Sequence, residues 1–315
     1  MRYRVLGRTG LRVSEIGFGC GPTAGLMTSA DESLHLSAVA RALELGINYF
    51  DTAAAYGNGT SERHLGRALR QLQAAPIVAT KLALQWGDLG DIAGSVIRSV
   101  EGSCERLGLD ALDVVFLHNR VGARRAERAD VGSGALLAVD DVLSVDGVLG
   151  AFEQLRRGGR IRFVGCCAFG GETPAVERLI DSGSFDAVLV NYSLLNPSAC
   201  APIHPRAELR DYGQTAVLAA ARSMGIVALR VLEGGLLAGS VDARPDLRSL
   251  PATGARDLAE AAVRFVLSNP QVSTALLGFS DLRQIDAAAE YAALGAMPPE
   301  TLASIEAWQM LGREQ

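Results

Sequence analysis

The runs Ile47-Asn-Tyr-Phe-Asp51, Ile77-Val-Ala-Thr-Lys81 and Leu112-Asp-Val-Val-Phe-Leu-His118 share one design: a short apolar stretch, rich in β-branched and aromatic residues, that ends on a titratable side chain. Such runs read as strands buried on both faces. Between them lie residues 61–72 and 92–107, longer stretches with apolar residues at helical spacing. A strand, a crossover helix and a second strand make a parallel pair, because only a long connection can carry the chain back to the starting end of the sheet.

The same alternation continues outward in both directions. Strands are expected at 15–19, 47–51, 77–81, 112–118, 161–167, 187–191, 226–231 and 273–277, and helices at 31–45, 61–72, 92–107, 148–157, 174–181, 215–223, 256–267 and 282–291. Strand then helix, eight times, predicts an α/β fold of the closed (β/α)8 TIM-barrel type, one barrel domain across residues 1–315. An open doubly wound sheet is the alternative. Against it, Gly19-Cys-Gly21-Pro-Thr-Ala24 fits GxGxxA, yet its proline and the polar loop that follows spoil the strand-turn-helix context of a dinucleotide fingerprint. Ser29 and Glu32 have capping-box spacing for the first helix, and Gly46, Gly108, Gly158 and Gly225 read as helix ends. Residues 3–6 and 11–14 flank Gly7-Arg-Thr-Gly10 as an N-terminal β-hairpin that can plug the barrel bottom, and 297–312 reads as an extra C-terminal helix. Connections 119–146, with its cluster Arg124-Arg125-Ala-Glu127-Arg128, and 232–254 are too long for simple turns. Both follow strands, so they belong to the face where barrel active sites are built.

The 315 residues are 49% hydrophobic and carry a net charge of -5, so the chain can bury a sizeable core but offers no positive field for a phosphate backbone; nucleic acid is set aside as a partner. The first ten residues are polar and no stretch of 18 apolar residues occurs, which predicts neither a signal peptide nor a membrane span, and a cytoplasmic setting. Five cysteines without CxxC spacing fit neither a disulfide framework nor a zinc site. Cys166 and Cys167 are adjacent, cannot both point inward from a strand, and read as small apolar residues. Of the 30 basic residues one alone, Lys81, is lysine. Arginine is permanently charged, whereas the lysine amine is compact and tunable by burial, so chemistry can require the one and not the other.

Barrel geometry turns the three strand ends into a candidate site. Asp51, Lys81 and His118 close consecutive strands and converge on one rim. Tyr56 stands in the loop Ala55-Tyr-Gly-Asn-Gly-Thr60, near enough to fold back over that rim. Taken singly, such residues are a loop cap, a satisfied core histidine and a packing tyrosine. Together, with the only lysine among them, they make a proton-transfer set: Lys81 can stabilise the phenolate, Asp51 can hold the ammonium, and His118 can donate to a substrate oxygen once its other nitrogen is tied down. His35, His64 and His204 lack such company and carry no role.

The segments Leu6-Gly-Arg-Thr-Gly-Leu-Arg-Val-Ser-Glu-Ile-Gly-Phe-Gly19, Gly46-Ile-Asn-Tyr-Phe-Asp-Thr-Ala53, Tyr56-Gly57, Ser61-Glu62, Thr80-Lys81 and Asp113-Val-Val-Phe-Leu-His118 resemble the aldo-keto reductase superfamily over almost the whole chain, and most of all its bacterial aldose-dehydrogenase and aldehyde-reductase branches. The resemblance implies a catalytic tetrad of Asp51, Tyr56, Lys81 and His118, and a barrel that uses NADP(H) or NAD(H) without a Rossmann motif or a metal. It implies hydride transfer between the nicotinamide and an aldehyde, ketone or aldose, with Tyr56 as general acid or base. Cofactor contacts are then expected at Gly19, Cys20, Cys167, Ala168, Leu232, Gly235, Gly278, Ser280, Arg283 and Gln284. The nicotinamide side departs from the pattern. Cys167-Ala168 stand where many members have Ser-Asn, Leu189 where glutamine is usual, and Leu229-Arg-Val-Leu232 lacks a stacking tyrosine. Arg283 is the one basic residue found for a 2'-phosphate, so NADP and NAD both stay open, as does the oligomeric state. These departures keep a second reading in view: a nucleotide-binding barrel with a regulatory role, or one running redox-neutral sugar chemistry.

Overall fold

The computed structural model describes residues 1–126, 134–203, 209–238, 247 and 250–310. The chain opens with a hairpin, β1 (Tyr3–Val5) and β2 (Arg12–Ser14), and then alternates β3 (Ile16–Gly19), α1 (Glu32–Glu44), β4 (Tyr49–Asp51), α2 (Thr60–Leu72), β5 (Ile77–Leu82), α3 (Ile92–Leu107) and β6 (Leu112–Leu117). A small pair, β7 (Val121–Gly122) and β8 (Leu137–Ala138), and the short α4 (Val139–Leu143) come next. The alternation resumes with α5 (Val148–Arg157), β9 (Ile161–Cys167), α6 (Thr173–Asp181), β10 (Ala187–Asn191), α7 (Thr215–Ala221), β11 (Gly225–Leu229), α8 (Leu258–Ser268), β12 (Val272–Gly278), α9 (Leu282–Leu294) and finally α10 (Pro299–Met310). Strands β3, β4, β5, β6, β9, β10, β11 and β12 close into a parallel barrel, β12 returning to β3 with Gly278 opposite Gly19. The expected (β/α)8 barrel is therefore the observed one.

Two apolar layers hold it together. Strand residues alternate between the barrel interior, where Tyr49, Ala79, Phe116, Leu189 and Leu276 meet, and the shell between strands and helices. Cys167 belongs to the interior and Cys166 to the shell, as their adjacency on one strand demands. Leu6 and Val13 of the hairpin join the interior cluster, closing the N-terminal end of the barrel. Along α10, Ile305 and Trp308 pack on the shell.

Three local expectations are corrected. Helix α1 is capped by Asp31, whose Oδ1 accepts from the N–H groups of Ser33 and Leu34, while Ser29 Oγ bonds His35 Nε2 at 3.0 Å; Asp31 stands next to the first turn and takes its donors before Ser29 can. Gly225 does not end a helix: the chain turns at Ser223, with φ 57°, and Gly225 opens β11 opposite Ala187. Connection 119–146 is not bare loop, because it carries β7, β8 and α4, and Arg125 Nε contacts both Asp141 oxygens at 2.8 Å. Glu127 and Arg128 of its charge cluster lie outside the described residues, as do His204 and most of 239–249.

Candidate active site

Period-two alternation puts the residues of the first quoted runs on one face. Tyr49 and Asp51 of β4, and Ala79 and Lys81 of β5, point into the barrel, and His118 follows Phe116 one step past the end of β6, its N–H on Leu82 O at 2.8 Å. Tyr56 comes from the turn after β4. That turn is pinned by Ala54 N to Lys81 O at 3.2 Å and by Ser61 N to Tyr56 O at 3.2 Å. The phenol ring lies 3.6 Å from where a Cβ on Gly21 would stand, so the loop after β3 forms its other wall.

Lys81 is 1% exposed, and its ammonium is the centre of the group. It donates to Asp51 Oδ1 and, at 2.8 Å, to the Thr52 carbonyl, and it stands 4.9 Å from the Tyr56 ring centroid. Burial pulls the Lys81 pKa down, but Asp51 and Tyr56 outweigh it, and the net shift is upward. Burial raises the Asp51 carboxyl, and Lys81 opposes that rise. The direct contact between the two lets each favour the charged form of the other.

Burial also lifts the Tyr56 phenol above its ordinary range; Lys81 draws it back, while the charge of Asp51 adds to the rise. The sequence expectation was right about the sign of the lysine's effect and omitted the larger one. His118 is pushed down to about 3 by burial and by Lys81, so it is a neutral imidazole at ordinary pH. Its ring stands edge-on to Tyr56 and to Phe169, at 6.1 Å from each. Among the described residues its Nδ1 has no hydrogen-bond partner, nor has Asp51 Oδ2; the expected tether on the far nitrogen is not present.

The residues expected to hold a cofactor fall into two sets. At Cys20 the N–H bonds Asp51 O, the carbonyl accepts from Ser61 Oγ at 2.9 Å, and the side chain lies in the shell with the thiol pushed up by burial. Cys167 and Ala168 are buried at the end of β9, with Ala168 N on Leu189 O at 2.8 Å. The others stand on the rim. Gly19 and Gly278 are paired strand ends, Leu232 leads into a short turn at Glu233–Gly235, and Gly235, Gly278 and Ser280 are exposed. Gln284 folds back on its own helix, its Oε1 accepting from Ser280 N at 2.8 Å, while Arg283 is 92% exposed with Nη2 at 3.2 Å from Asp281.

Sequence reasoning passed over Asn191. It follows Leu189 by two residues, shares its strand face, stands at the rim end of β10, and donates from Nδ2 to Tyr212 Oη at 2.8 Å. Extending the inward face of the strand by one more step would have found it. His35 and His64, given no role, stack with ring centroids 4.0 Å apart between α1 and α2. Among the described residues no group of three His, Cys, Asp or Glu could hold a metal, and no helix is long and apolar enough to cross a membrane.

A closed parallel barrel whose mouth gathers a buried Asp–Lys pair, a phenol and a neutral imidazole belongs to the enzymes that build their chemistry on strand ends. More specifically, the chain belongs to the aldo/keto reductase family, whose profile matches residues 15–309, and it is an oxidoreductase of that family. L-galactose dehydrogenase of Arabidopsis thaliana is 29% identical over 98% of this chain and 94% of its own length. D-threo-aldose 1-dehydrogenase of a Pseudomonas species is 27% identical over 90% of this chain and 91% of its own. In fold, the holo form of the aldo-keto reductase AKR11C1 from Bacillus halodurans superposes with a TM-score of 0.76 over 98% of this chain and 96% of that one, at 24% identity.

Proposed function

We propose that the protein is a nicotinamide-dependent dehydrogenase or reductase of sugars and related carbonyl compounds, with Tyr56 as general acid and base. The observation that carries this is the buried Lys81, fixed between Asp51 and the Tyr56 ring. A buried phenol can give up its proton only if the developing negative charge is stabilised, and among the described residues Lys81 is the cation placed to do so. Asp51 holds that cation and gives it direction. Neutral His118, beside the phenol, orients a substrate oxygen through a hydrogen bond without adding charge.

The rim opposite fits a dinucleotide. Exposed backbone at Gly235 and Gly278, the Ser280 hydroxyl and the exposed Arg283 side chain suit phosphates, and the amide of Asn191 suits the carboxamide for which Ala168 and Leu189 offer no polar side chain and Cys167 only a weak donor. When bound, the nicotinamide supplies or accepts the hydride. The names of the two relatives favour aldoses as the substrate class. A cytoplasmic setting belongs to the same reading, in keeping with five cysteines that have no CxxC spacing.

Titrating NADPH and NADH against the fluorescence of Trp86 and Trp308, then screening aldoses, aldehydes and ketones with wild type and Tyr56→Phe, tests the reading. Nucleotide binding and turnover that disappears in Tyr56→Phe are expected. Turnover that survives that change would sink the assignment, and binding without any turnover would favour the regulatory alternative.

A further inference from the structure

We propose that Glu62 is a positioning residue that sets the approach of Tyr56 to Lys81, working through Thr80 and Arg106; the inference rests on the proton-transfer role of Tyr56 given above. Glu62 lies in the first turn of α2, the helix that follows the Tyr56 turn, and is fully buried. One of its carboxylate oxygens accepts from Thr80 Oγ1 at 2.6 Å and the other from Arg106 Nε at 2.5 Å. Thr80 precedes Lys81 on β5, and strand alternation turns Lys81 into the barrel and Thr80 outward. Glu62 therefore grips the strand at the residue next to the ammonium.

Arg106 completes the frame from α3. A Cβ on Gly59, which enters α2 with φ 79°, would stand 2.6 Å from Arg106 Cδ, so the arginine stem lies against the turn that carries Tyr56. Ser61, the neighbour of Glu62, adds a parallel tie: its hydroxyl bonds the Cys20 carbonyl and Thr52 Oγ1, both at 2.9 Å, and the Thr52 carbonyl in turn receives Lys81. The ends of β3, β4 and β5 are thus all fastened to the start of one helix. Pairing a buried carboxylate with a half-buried guanidinium is weak as a source of stability, because desolvation offsets the attraction, so the placement of Glu62 and Arg106 between the lysine strand and the tyrosine turn points to geometry.

The phenol faces Lys81, Asp51, Cys167 and the neutral His118. Lys81 alone among these favours the phenolate, so a slackened turn raises the phenol's pKa. Glu62→Gln keeps an acceptor for Thr80 and removes the charge facing Arg106; Thr80→Val removes the hydroxyl and keeps the shape; Thr80→Ser restores the bond. With 3-fluorotyrosine incorporated, the 19F resonance absent from Tyr56→Phe reports the Tyr56 titration without needing turnover. That titration is expected to move up by roughly half a pH unit or more in Glu62→Gln and Thr80→Val, and to return in Thr80→Ser. In alcohol oxidation the rising limb of kcat against pH should move the same way, with kcat down about 5- to 20-fold and nucleotide KM within about twofold.

An unmoved titration in folded Thr80→Val, with Tm alone lowered, overturns the inference, and the Thr80 pair decides it even if Glu62→Gln does not fold. Tyr56→Phe separates the two levels. Turnover surviving in it defeats the proton-transfer reading, whereas turnover lost in it beside unmoved titrations elsewhere defeats the positioning role alone.

Discussion

On the side of the mouth built by β4, β5 and β6, the charged groups are out of water: Lys81 is 1% exposed and Asp51 2%, and the lysine's donors are bound to Asp51 and the Thr52 carbonyl. On the side built by β9 to β12, the candidate ligand groups are glycine backbone, the Ser280 hydroxyl and an arginine standing almost wholly in solvent. The first arrangement fixes single atoms, because strand alternation and burial leave each side chain one place to go. The second presents a surface whose grip comes from several weak contacts. Chemistry should therefore fail sharply when the first side is touched, while changes on the second should adjust affinity and leave turnover intact.

The sharpest way to break this contrast is Lys81→Arg. Formal charge is preserved, but a planar guanidinium cannot occupy the buried space shared by Asp51, the Thr52 carbonyl and the Tyr56 ring. We expect kcat to fall by roughly 10²-fold or more, the scale of general acid–base contributions, with nucleotide affinity retained. If Tyr56 and Lys81 act as a unit, the double variant with Tyr56→Phe should be far less impaired than the product of the single losses. Near wild-type kcat in Lys81→Arg would show that only charge matters there.

The buried side should also declare itself in stability. His118 titrates near 6.5 when unfolded and is pushed down to about 3 in the fold, so between those values the unfolded chain binds a proton that the folded chain refuses. The histidine's contribution is therefore fully present above about pH 6.5 and is lost as pH falls toward 3, by an amount on the order of a few kcal/mol. Denaturant melts from pH 7 to 4 should fall less steeply for His118→Gln than for wild type. Parallel curves for the two would mean that His118 takes up its proton as readily in the fold as in the unfolded chain.

How far the sequence reached follows the same division. The eight barrel strands and the rim position of Asp51, Lys81 and His118 were legible because period-two alternation and β-branched runs are local signals. Glu62 was visible only as part of a family pattern, since its partners Thr80 and Arg106 lie 18 and 44 residues away and nothing local announces them. Ser29 and Asp31 are both good helix caps, and the choice between them turned on Asp31 standing next to the first turn, which leaves the Ser29 hydroxyl to pair with His35. Cys20 was assigned to the cofactor by position alone, and its bonds to Asp51 and Ser61 join residues far apart in sequence, which no local signal announces. The rim opposite depends on loops, whose side-chain directions are not fixed by any sequence period.

Asn191→Leu sharpens the comparison from the open side. If the Asn191 amide supplies the polar contact that Leu189 cannot, its loss should raise nucleotide KM by about tenfold, the value of one hydrogen bond in a partly buried site, with kcat changed by less than about threefold. Steady-state kinetics with the nucleotide varied would read this. A collapse of kcat at unchanged KM would place Asn191 with the proton-transfer group and dissolve the division drawn above. Loss of its bond to Tyr212 should cost little, because that donor is only half-buried.

The smallest effect is expected at Arg283, whose side chain is 92% exposed. Its guanidinium touches Asp281 at 3.2 Å on the surface, a pairing that solvent screens, so Arg283→Gln should leave Tm unchanged. What the arginine can do is meet an added phosphate in the same solvent. If it does, Arg283→Gln raises KM for NADPH by roughly 3- to 10-fold, leaves KM for NADH alone, and loses its effect as salt is raised, because an exposed charge pair is screened within about 8 Å at physiological ionic strength. Both nucleotides weakened equally would move Arg283 from the 2'-phosphate to the pyrophosphate they share. No change in either would remove Arg283 from the site, and the choice between the two cofactors would then have to rest on other rim residues.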